Sequence, residues 1–181
     1  MTTMTDTDYS TTVANFASLI MQASVRDIEL ASRWYFEAEA IAREVAQNMT
    51  IDMERAACIV AAFSPRERWS VNVRKALEYS IGITPSGLSN NVAMADASMV
   101  HGFDALKGLK TNAFARAIAG DDNAVVIDVW MCRAAGIGTD SPNKTQYAFI
   151  SDAVTDAAAL FGITPRTAQA LIWIIVRGNH A

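Results

Sequence analysis

The stretch that most constrains this chain covers residues 106–136, LKGLKTNAFARAIAGDDNAVVIDVWMCRAAG. A glycine turn at Gly108 opens a helical pattern over residues 110–119, which halts at the polar break Gly120-Asp121-Asp122-Asn123, since glycine and short acids favour turns over helix. The apolar run 124–127 then leads into another helix through one acid, Asp128. An acid placed after such a run and before Trp130 and Met131 is expected to be partly buried at a helix N-terminus, where free backbone N–H groups and the helix dipole stabilise its anion. Two readings of Asp128 stand: an N-cap, the common employment of aspartate ahead of an apolar helix, or a carboxylate held ready for chemistry.

The rest of the chain reads as helix, and an all-α fold is expected. With 181 residues, 51% hydrophobic and 19% charged, the chain can bury a sizeable core as one compact domain or two tightly packed lobes. Glycine and proline are too few for a turn-rich β architecture. Residues up to about Ser10 are expected to fray. Apolar residues at helical spacing predict helices over 12–21 and 25–48, the latter using Trp34, Tyr35 and Phe36 as core anchors. Asp52 is expected to cap a helix over 53–63 that closes at Ser64-Pro65, because the residue before proline avoids the α region. A new element starts at Ser64. After a linker over 81–87, containing Gly82, Pro85 and Gly87, come a helix over 89–100 with Asn90 as its cap and a short helix over 103–107. The helix after Asp128 is expected to stop at Gly136 and Gly138. Ser141-Pro142 and Thr164-Pro165 each look like an N-cap followed by proline at the first helical position, predicting helices over 142–161 and 165–176, the last carrying Trp173.

The net charge of −4 argues against a protein that coats nucleic acid non-specifically, which needs many cations to release counterions; local basic patches remain open. Cys58 and Cys132 lie in apolar helical pattern, do not resemble a metal-ligand set and are expected to be buried thiols in a reducing compartment. No metal and no cofactor is implied. Asp6 and Asp8 interrupt any signal-like start, and the most apolar stretch, 170–176, is too short to cross a bilayer. A cytoplasmic protein without membrane contact is therefore expected. His101 has no ligand-type neighbour at useful spacing and suits a surface or hinge position, and Arg177 and His180 end the chain.

The segment LKGLKT, followed after an eighteen-residue interval from Lys110 to Asp128 by VVIDVWMCR, resembles the helix-hairpin-helix, endonuclease III-like DNA glycosylase superfamily. There a hairpin of the type LPGxGxKT opens a helix and an apolar run ends in a catalytic Asp. SPRERW followed by Asn72 resembles the same superfamily's polar loop beside DNA. The likeness extends over about residues 54–177 and is also similar to small helix-hairpin-helix proteins encoded by bacteriophages. It implies a two-lobed helical fold filling residues 1–181, with a lobe at about 82–127 inserted between segments 11–81 and 128–181. The hairpin here is shorter than the family's and lacks its second glycine.

What the resemblance implies chemically is cleavage of an N-glycosidic bond at a flipped base in double-stranded DNA, a DNA repair or DNA modification activity. Asp128 would stabilise the positive charge that develops on the sugar. Lys110 matches the lysine that in some members attacks C1′ and adds strand cleavage, an abasic-site lyase step; here a phosphate contact or a solvated lysine at a helix start stay open. Arg66 and Arg68 are read either as phosphate or wedge contacts or as a solvated helix start with Glu67 paired to an arginine. Asn72, Lys107, Gly108 and Arg133 complete the expected DNA-contacting set, while Trp130 is expected in the core. Two rivals remain: a phage enzyme that hypermodifies thymine-like bases with no damage to the strand, and an inactive relative that binds DNA or a protein.

Overall fold

The run AACIVAAF at residues 56–63 is apolar on every side, and a helix without a polar face has to be surrounded. A computed structural model of the chain describes residues 6–86 and 89–178. Its described residues form α1 (Asp6–Met21), α2 (Val25–Met49), α3 (Met53–Ala62), α4 (Trp69–Ser80), α5 (Ser89–His101), a single 3-10 turn (Gly102–Ala105), α6 (Leu109–Ile118), α7 (Val129–Ala134), α8 (Lys144–Leu160) and α9 (Pro165–Arg177), with no strand. The fold is all-α.

The chain divides into two units, one made of residues 35–121 and the other of residues 1–34 and 122–181. In the first, α3 is the centre. Asp52 caps it, its side chain accepting from the Arg55 N–H, and α4, α5, α6 and the 3-10 turn pack around it. Its alanines let those neighbours approach closely, and burial of Ile59 and Val60 contributes roughly 1.5–3 kcal/mol each. In the second unit α1 packs on α8 and α9, and α7 on α9.

Several boundaries differ from the sequence reading. The contiguous unit runs over residues 35–121, and within it α3 packs on α5 and α6, which ties 53–62 to the segment that follows. Helix α1 starts at Asp6, inside the stretch expected to fray. Tyr9 anchors that first part, donating to Asp156 Oδ2 at 2.7 Å and meeting the Phe149 ring edge-on. Ser64 to Arg68 is a turn, and α4 begins only at Trp69. The expected helix at 103–107 is the 3-10 turn. Asn90 lies inside the first turn of α5 and not at its cap position. Of the three expected aromatic anchors Tyr35 is buried, but Phe36 is 72% exposed. Residues 1–5, Gly87 and His180 lie outside the described residues.

Candidate active site around Asp128

The apolar run 124–127 is buried and extended, so its backbone groups need partners other than a helix. Tyr147 of α8 supplies two: its hydroxyl donates to Val125 O at 2.9 Å and accepts from Ile127 N at 3.2 Å. Burial pushes this phenol up to about 12. The strap so clamped ends at Asp128, the N-cap of α7, whose Oδ1 accepts from the backbone N–H groups of Trp130 (2.9 Å) and Met131 (3.2 Å). Its second oxygen, Oδ2, accepts from the indole Nε1–H of Trp173 in α9 at 2.9 Å. Three N–H donors therefore fix a partly buried carboxylate.

The two tryptophans that donate to the acid carry further contacts within the same unit. Trp34 packs on Trp173 with ring centres 5.5 Å apart and planes 31° apart. The guanidinium of Arg177 lies 4.5 Å from the centre of the Trp173 ring, and that of Arg133 lies 4.8 Å from the Trp130 ring. Arg133 is exposed, with Asp140 at 3.9 Å, and Trp130 is half-buried rather than in the core. Trp34, Trp173, Arg177 and Tyr147 escaped the sequence reading as site residues. Only the lone tryptophan of α9 and the basic residue closing that helix gave any signal.

The turn that leads into α6, over residues 106–110, lies in the other unit. Lys107, Gly108, Leu109 and Lys110 are exposed, and no side chain caps α6 at Gly108. With φ −75° Gly108 has an ordinary backbone, and a Cβ there would meet only Thr111 at normal contact distance. The demanding glycine is Gly102, at φ 52°, where a Cβ would collide with Glu54 Oε1, the acceptor of the Phe103 N–H. Asn112 closes the turn, donating from Nδ2 to Phe103 O (2.8 Å) and Leu106 O (3.2 Å), while Arg116 bonds to its Oδ1 and covers the Phe103 ring. None of Glu54, Gly102 and Asn112 was picked out from sequence.

In the loop between α3 and α4, Arg66 and Arg68 are exposed and Arg66 adopts φ 64°, a left-handed conformation uncommon outside glycine. Glu67 pairs with Lys75 and not with an arginine. Asn72, expected at the DNA, is 1% exposed. Its Nδ2 donates to Val60 O at 2.7 Å, satisfying a carbonyl that the end of α3 leaves open, so its amide serves the interior. His101 is exposed at the end of α5.

Burial drives the Cys58 thiol up to about 12, and it raises Cys132 as well, with the Asp128 charge adding to the shift. Among the described residues no three His, Cys, Asp or Glu side chains are grouped so as to hold a metal ion, and no single helix is long and apolar enough to cross a membrane. No curated protein and no solved structure matches the chain. A family model does match it, over residues 1–180, and the chain accordingly belongs to the Family of unknown function (DUF7178).

Proposed function

We propose that this chain is a DNA glycosylase-like enzyme of the helix-hairpin-helix type, with a shortened hairpin, that acts on a flipped base in duplex DNA. One observation carries the reading: Asp128 stays partly open while Trp130 N, Met131 N and Trp173 Nε1 hold both its oxygens. Enzymes that work on a base in a duplex must take it out of the stack, at a cost of a few kcal/mol. As the bond to the base then breaks, positive charge grows on the sugar, and a preorganised carboxylate lowers that barrier without reorganising itself. In the unit that carries Asp128, the half-buried Trp130 has an aromatic ring suited to stacking on a base and the exposed Arg133 is a cation suited to phosphate; taken by itself, the other unit exposes Arg66, Arg68, Lys107 and Lys110, which are cations of the same use.

The test incubates purified protein with duplexes carrying uracil, oxidised, alkylated or hypermodified bases and measures abasic sites. Asp128→Asn is the decisive variant, because asparagine is as good an N-cap as aspartate and its one amide oxygen can keep the two backbone N–H groups, although the bond from Trp173 Nε1 is lost. Loss of activity by a factor of 10² or more, with a melting temperature no lower than that of Trp173→Phe, which lacks the same bond and keeps its carboxylate, supports the reading. Borohydride trapping examines the lysine: an adduct that disappears in Lys110→Ala makes it the nucleophile, and abasic sites without an adduct leave it a phosphate contact. A second reading, an inactive binding relative, is favoured by the fact that the acid already serves α7 as an N-cap. It prevails if no substrate is processed while duplex binding persists. A new base adduct on an intact strand would instead favour the hypermodification class.

A further inference from the structure

Arg66 and Arg68 are exposed and have no side-chain partner among the described residues, although Glu67 lies between them. An acid between two exposed arginines is close enough to pair with one and offset its charge. Here it does not. Glu67 is turned inward onto Lys75 Nζ, and the side chains are 24% and 7% exposed respectively. The chain reaches this arrangement through the left-handed Arg66 and a turn closed by Glu67 N–H to Ser64 O at 3.3 Å. Lys75 itself sits on α4 one turn beyond the buried Asn72, so its ammonium is held from below by the same helix that Asn72 ties to α3.

A lysine at 5% exposure is costly, since a buried ammonium is tolerated only when paired. A buried apolar residue at position 75 would serve the core as well or better, so packing alone does not account for the pair. We propose that Lys75 is a positioning residue that withdraws Glu67 from the outer face of the 64–68 loop, leaving that face with two uncompensated guanidinium groups for the phosphates of duplex DNA. This rests on the DNA-binding reading above. In an acidic chain of net charge −4, removing one acid from the contact face decides whether the loop attracts or merely tolerates a polyanion.

The experiment measures binding of the full-length protein to a fluorescein-labelled duplex by anisotropy across a salt series, together with melting temperature. Four variants are compared: Lys75→Met, Glu67→Gln, the double variant, and Arg66→Ala with Arg68→Ala. Lys75→Met frees Glu67 to cover an arginine, so affinity falls several-fold at low salt and the slope of log affinity against log salt shrinks by about 1. Adding Glu67→Gln to Lys75→Met removes the acid and restores both affinity and slope, even where the melting temperature stays below that of the wild type. That rescue is what a purely structural pair would not produce. Affinity that follows melting temperature through all the variants, or a Lys75→Met slope equal to that of the wild type, overturns the proposal while leaving DNA binding intact. If the double arginine variant binds like the wild type, the assignment of this loop to DNA fails first, and the proposal with it.

Discussion

At the scale of single residues, Asp128 was legible because its signal is local: an acid directly ahead of an apolar helix. What holds it was not. Trp173 lies 45 residues away in sequence and Tyr147 lies 20 residues from the Ile127 amide that it accepts from, and no local periodicity encodes such pairings. Both partners yield predictions. Trp173→Phe keeps a ring against Trp34 but deletes the N–H to Asp128, so stability should fall by about 1.5–3 kcal/mol, the range for a hydrogen bond to a charged group; the urea midpoint checks it. Tyr147→Phe leaves Val125 O and Ile127 N without their shared partner in a buried strap, and should also cost about 1–3 kcal/mol. A loss well under 0.5 kcal/mol in the second variant would mean that water replaces the hydroxyl and that the strap is not fixed by Tyr147.

At the scale of elements, the helices themselves followed from apolar spacing, but their ends depended on which of several capping signals won. Thr164-Pro165 behaved as read, with the Thr164 hydroxyl accepting from Thr167 N. Ser141-Pro142 did not: α8 starts at Lys144 because Asn143 and Gln146 form a reciprocal capping box, which satisfies two backbone donors where a serine and a proline would satisfy one. The stretch after Ser64 was read as a helix start, yet the part-buried Glu67–Lys75 pair and the left-handed Arg66 accompany a turn over residues 64–68. The turn ahead of α6 makes the sharpest element-scale prediction. Asn112 holds two carbonyls of the turn from the first part of α6, so Asn112→Ala should loosen the 3-10 turn and the α6 N-terminus, seen as faster amide exchange over 102–110, with little change in α8 or α9.

At the scale of the whole molecule, composition was enough for the all-α class, but not for the grouping of helices into units. Within the unit over residues 35–121 the all-apolar α3 packs against α5 and α6, a long-range choice that helical spacing leaves undetermined. The same burial has a consequence for the response to alkali. Cys58, fully buried in one unit, has its thiol raised from 9.0 to about 12, and Tyr147, in the other, has its phenol raised from 10.0 to about 12, both mainly by burial. Such groups keep their protons in the folded protein at pH values where the unfolded chain has released them, so the unfolded state binds fewer protons and stability falls as pH rises. The contribution is whole below about 9 for the thiol and below about 10 for the phenol, and drains away as pH approaches about 12. Urea midpoints should therefore hold steady from neutral pH to the onset of thiol ionisation and then decline. Cys58→Ala should start from a lower midpoint, since it leaves a small cavity in a close-packed core, and then lose less of it on the way to high pH. Parallel declines in the two proteins would show that Cys58 ionises as freely folded as unfolded, and that α3 is not sealed as its all-apolar sequence requires.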